Sequence, residues 1–117
     1  MKTLVAFVAG LVLAGTPALA LPKQPTAHDF SMRMDRLTPI QRYGVLRNAV
    51  NESNLKCAKV LAAAYQGPYK NLDMWVARCG PKPIVDYGVF VGPDGSAQVS
   101  TCQDLIRVKW PACRKLP

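Results

Sequence analysis

The chain has a single histidine, His28, and a single glutamate, Glu52. That scarcity removes most acid–base chemistry at the outset, because general catalysis draws chiefly on histidine and on paired carboxylates. His28 falls in a stretch without regular patterning, where it reads as an exposed bystander. Glu52 stands where a helix should end. Asp94 belongs to a turn and Asp104 to a helix start. Asp73 and Asp86 could pair across a sheet, although nothing in their spacing requires it. There is no Gly-rich phosphate loop, since the glycines at 92 and 95 bracket a hairpin turn. No close C-x-x-C pair is present, so neither a metal nor a cofactor is expected. The expectation is a protein without catalytic activity, with a small hydrolase using His28 and a carboxylate as an alternative.

Long apolar runs are also missing, with one exception at the start. Met1-Lys2 supplies a positive charge, Leu4 to Leu13 is apolar, and Ala18-Leu19-Ala20 follows Pro17. This order reads as a secretory signal peptide over residues 1–20, cut after Ala20, with no membrane span remaining. The mature chain would be periplasmic or secreted, a single small domain with little room for a core. Its formal charge of +8 falls by one with Lys2. Such a balance favours polyanions or an anionic surface, yet the basic residues are scattered without a dense run.

Residues 21–37 carry two prolines and mixed polarity, and read as an extended or flexible arm. The single domain then spans 38–117. Thr38, Pro39 and Gln41 form a capping box with proline at the first helical position. Ile40, Tyr43, Leu46 or Gly44, and Val50 give the following helix an apolar stripe. Four short segments follow: 57–67, 72–80, 84–92 and 95–102. Gly and Pro separate them, and β-branched or aromatic residues fill most of them. The stretch "GPDG" at 92–95 is the clearest hairpin turn. A helix near 102–109 stops before Pro111. The expected class is α+β: a helix packed on a four-stranded antiparallel meander, with a short C-terminal helix.

All four cysteines lie beyond the leader, and an even count in a small exported chain implies two disulfides. A hairpin centred near Pro68 sets Cys57 opposite Cys79, within about 5.5 Å. Cys79 and Cys102 would flank one strand about 10 Å apart, too far to bridge. The consistent pairing is Cys57–Cys79 with Cys102–Cys113. Cys79–Cys102 with Cys57–Cys113 is the fallback, should strands two and four be neighbours.

The run "YQG…DMWVARC…DYGVFVGPDGSAQVSTCQDL…C", across about residues 55–113, resembles a family of small exported four-cysteine proteins of Gram-negative bacteria. The resemblance implies the fold and an exported location, and carries no activity. The order of helix and sheet is also similar to small periplasmic inhibitor and peptidase-propeptide-like modules.

Binding is the remaining class. One helix covers one sheet face, so the other should be open. Trp75, Arg78, Lys59 and Tyr87 are the candidate binding residues on such an aromatic and basic face. The partner would be a protein, for an inhibitor or accessory module, or an envelope polyanion. No specific nucleic-acid signature is present.

Overall fold

The structure, a computed structural model, describes residues 24–116. The expected leader and residues 21–23 of the expected arm lie outside the described residues. From residue 27 onward the elements run α1 (Ala27–Asp35), α2 (Pro39–Glu52), β1 (Lys59–Tyr69), β2 (Leu72–Gly80), β3 (Val85–Val91), β4 (Ala97–Thr101) and α3 (Cys102–Arg107). The strands form one antiparallel sheet in the order β1-β2-β3-β4, as the meander predicts. Thr38 and Gln41 cap α2 reciprocally, and Gly95 holds the positive φ of the β3–β4 turn. Both disulfides have the expected pairing, with Cα separations of 5.2 Å for Cys57–Cys79 and 5.7 Å for Cys102–Cys113. The register differs in detail. Cys79 lies opposite Val60, and Cys57 sits just ahead of the ladder, because the turn falls at Lys70-Asn71 and not at Pro68; the two slips in β1 make up only part of the difference.

The first departure is α1, in place of an extended arm. Thr26 accepts from the Asp29 backbone while the Asp29 carboxylate accepts from the Thr26 N–H. This reciprocal cap satisfies two of the free donors that otherwise discourage a short helix. Met34, Ala27 and Ser31 are then buried, and the Trp75 indole donates to Ser31 Oγ at 3.0 Å. In α2, Leu46 and Val50 are fully buried, whereas Ile40 faces outward and is 84 % exposed. The inner stripe of α2 is therefore narrower than its periodicity suggests.

The second departure concerns the sheet's other face. Odd positions of β2 and β3 (Trp75, Ala77, Cys79, Tyr87, Val89, Val91) pack beneath the two helices. Even positions (Met74, Val76, Phe90) meet Leu105 of α3 together with Trp110 and Leu116 of the C-terminal tail. Gly88 allows this approach: a Cβ there would lie 2.5 Å from Leu105 Cδ1. Phe90, Trp110 and Tyr69 stack against one another, with ring centroids 5.0 to 5.8 Å apart, the offset and edge-on geometry aromatic pairs prefer. The Gln66 amide donates to Ala112 O and its carbonyl accepts from the Arg114 N–H, fastening the tail to β1. The second face is thus largely covered, and only one end of it is left bare.

Candidate functional site

The four sequence-derived binding residues do not converge. Trp75 and Tyr87 lie in the core under the helices, each almost fully buried. The Tyr87 hydroxyl donates to Lys56 O at 2.9 Å, so its polar end has a structural duty. Lys59 is exposed at the start of β1, in a shallow groove with Ile40, Tyr43 and Arg47. Arg78 points to the opposite face, where its guanidinium grips Asp86 across β2 and β3 in two bonds of 2.8 and 3.1 Å. That bidentate contact raises the Arg78 pKa, through the hydrogen bond to Asp86 first and its charge second. A candidate face composed of all four is therefore corrected. Alternation along β2 sends Trp75 and Arg78 to opposite sides, and α1 closes over Trp75.

Arg78 nevertheless borders the bare end of the second face. Arg78, Asp86, Ile84 and Gln103 line a hollow of about 650 Å³ there. Ile84 is 61 % exposed and Leu61 is 38 % exposed. Both side chains occupy the space over Gly80, where a Cβ would lie 2.7 Å from Leu61 Cδ1 and 3.3 Å from Ile84 Cγ1. The result is a small apolar step beside a fixed ion pair. Leu61 reaches it because the β1 slip at this point releases one residue from the ladder.

A second constellation forms where α1 crosses the sheet. His28 Nδ1 lies 3.2 Å from Oδ2 of Asp73, whose side chain is only 2 % exposed. A carboxylate only accepts, so Nδ1 carries the hydrogen of this contact. Tyr65 closes the group: burial, the Asp73 charge and a hydrogen bond to Asp73 push its phenol pKa up. The Tyr65 ring meets Trp75 edge-on, with centroids 5.5 Å apart. Asp73 and Asp86 do not pair with each other; each has a separate cationic or donor partner. Sequence reasoning missed this group because it placed His28 on an arm. The available signal was Thr26-x-x-Asp29, the reciprocal cap of a helix that starts at Ala27.

Among the described residues no group of three or more His, Cys, Asp or Glu side chains is arranged to hold a metal ion. No helix among them is long and apolar enough to cross a membrane. No family model matches the chain, and neither curated proteins nor solved structures give a match.

Proposed function

We propose that the protein is an exported, non-catalytic binding module, an inhibitor or accessory protein that engages another protein through the bare end of its sheet. The observation that carries this reading is the exposed Leu61–Ile84 step over Gly80, flanked by the Arg78–Asp86 pair. Large apolar side chains left uncovered beside fixed polar groups are the composition of a small docking centre. The two disulfides support an oxidising compartment, periplasmic or secreted. Because Asp86 neutralises Arg78, the step suits an apolar segment of a protein better than a phosphate-rich polymer.

A photo-crosslinking residue at position 84 of the exported chain tests this. The expected result is one dominant protein adduct, lost on Leu61→Asp and not formed from position 52 on α2. Failure to crosslink from 84, or an adduct indifferent to Leu61→Asp, overturns it. Retention on heparin that falls steeply with salt would favour the polyanion reading instead.

The small-hydrolase reading stands second, drawing on the His28–Asp73 contact, which resembles an oriented general base. It requires a hydrolytic activity of the exported chain that His28→Ala abolishes with the fold intact.

A further inference from the structure

We propose that the open edge of β4 binds a second copy of this chain, with the two β4 strands antiparallel across a two-fold axis at Val99. The sheet order leaves two edges, β1 and β4. A row of free N–H and C=O groups invites another strand, and natural edges are blunted by proline, bulges, charge or cover. β1 carries these devices. Gly67-Pro68 lies inside it, Gly67 takes a positive φ, and the register shifts twice along its length. Lys59 opens the strand, and the Arg114 guanidinium donates to Gln66 O. β4 is short but has none of the others. Ala97 to Thr101 pair with β3 without a shift, and residues 95–103 contain neither a charge nor a proline. No residue of β4 is buried.

Which backbone groups are open follows from the turn. The Gly92 N–H donates to Ser96 O at 2.8 Å, in the register that runs on from Val91–Ala97 to Tyr87–Thr101. Bonded and non-bonded pairs alternate along an antiparallel ladder, so Gln98 and Ser100 bond to β3 while Ala97, Val99 and Thr101 point their backbone groups outward. Thr101 O serves as the N-cap carbonyl of α3. The remaining outward groups of these three residues have no hydrogen-bond partner among the described residues. An open edge accepts any extended segment, and symmetry is what favours a second copy. The open positions lie evenly about Val99, so a two-fold axis there sets Val99 opposite the partner's Val99 and Thr101 opposite the partner's Ala97. The Val99 N–H then meets the partner's Val99 O, and the Thr101 N–H meets the partner's Ala97 O, each bond formed twice. Ala97 and Val99 already border the core beneath the helices, and the partner's Val99 extends that apolar strip. Gln98 stands opposite the partner's Ser100 on the other face, with no like charges across the pair. The joined sheet ends at two blunted β1 edges, so the assembly closes at two copies. Because the strand is short, the dimer is weak. Leu61 lies on β1, at the far edge, and the pairing does not rest on the Leu61–Ile84 reading.

The test is sedimentation of the full exported chain from micromolar to millimolar concentration, with amide hydrogen exchange measured at both ends of that range. The expected result is a reversible monomer–dimer equilibrium. It tightens from low to physiological salt, because both copies are strongly basic and salt screens their repulsion. The Val99 and Thr101 amides should exchange at least tenfold more slowly in the dimer, while those of Gln98 and Ser100 stay unchanged. Val99→Pro removes the central donor without removing a bond to β3, and should weaken dimerisation at least tenfold. If Val99→Pro fails to fold, the exchange pattern of the unaltered chain decides. A chain that stays monomeric at millimolar concentration, a dimer whose Val99 amide is no better protected, or a folded Val99→Pro chain that dimerises as before overturns the proposal. Protection of Val99 that arises only when a different protein is added marks the edge as a seat for a foreign strand, and overturns it too.

Discussion

Nδ1 of His28 and Oδ2 of Asp73 meet at 3.2 Å although 45 residues separate them in the chain. The contact joins the first turn of α1 to the start of β2, and its inner member is buried. Burying a carboxylate is unfavourable unless its lone pairs are met. His28→Ala removes one of the donors and is expected to cost about 1–3 kcal/mol. Urea unfolding should show a lower midpoint with an unchanged slope, because the surface exposed on unfolding stays the same. An unchanged midpoint would mean that α1 is held by Trp75–Ser31 and Met34 alone.

The sheet is legible because its strands alternate and because Gly80-Pro81 and Pro93-Asp94-Gly95 punctuate it; β2 and β3 fall within a residue of their expected limits, whereas Gly67-Pro68 lies inside β1 and the first turn falls at Lys70-Asn71. The disulfide pairing is legible because strand order brings the ends of β1 and β2 together, although Cys79 faces Val60 and not Cys57. What could not be read was the covering. Trp110 and Leu116 lie in an aperiodic tail, and their burial depends on ring closure at Cys102–Cys113 and on Gln66, contacts that leave no periodic trace. The candidate site suffered most. Arg78 lies at an exposed end, as its place in β2 suggests, but the cover over Trp75 is not legible, since the helix that provides it has a polar, weakly patterned sequence. Nothing in the sequence connects Asp73 with His28, because their proximity exists only once α1 has docked.

Tyr65 offers a pH-dependent check on that docking. Its phenol is raised above the ordinary 10.0 by burial first and Asp73 second. The folded chain therefore holds this proton more tightly than the unfolded chain does. The associated stability is present below about pH 10 and is lost as pH rises through the folded value. A phenolate absorbance titration, with Tyr65→Phe as the difference, should place this tyrosine above 10.0. Asp73→Asn should bring it part of the way back, since the burial remains.

Opening Cys102–Cys113 acts on the opposite face. The closed loop spans 11 positions, for which chain entropy gives about 3 kcal/mol. The double variant Cys102→Ser, Cys113→Ser should lose that stability. Trp110 would then leave its place against Phe90 and Tyr69 as the tail detaches, and tryptophan fluorescence should shift to the red. The buried Trp75 keeps its environment, so a partial shift is expected, with α1 still docked. A complete shift would show that the tail supports the whole fold.

Two glycines should respond to the same substitution with opposite signs. Gly44 lies on the exposed side of α2, and a Cβ there meets nothing within 4 Å. Gly44→Ala reduces the freedom of the unfolded chain and improves helix propensity, so a gain of about 0.5–1 kcal/mol is expected. At Gly88 the added carbon would sit 2.5 Å from Leu105 and 3.2 Å from the Met74 methyl. Leu105 is almost fully buried and belongs to a helix anchored by the neighbouring disulfide, so it has little room to withdraw. Gly88→Ala is expected to lift α3 and cost about 1–3 kcal/mol, as overpacking does elsewhere. Thermal melts of the two variants, side by side, measure both. If Gly88→Ala is neutral, α3 is free to ride away from the sheet, and the second face is more open than the contacts of Leu105 imply.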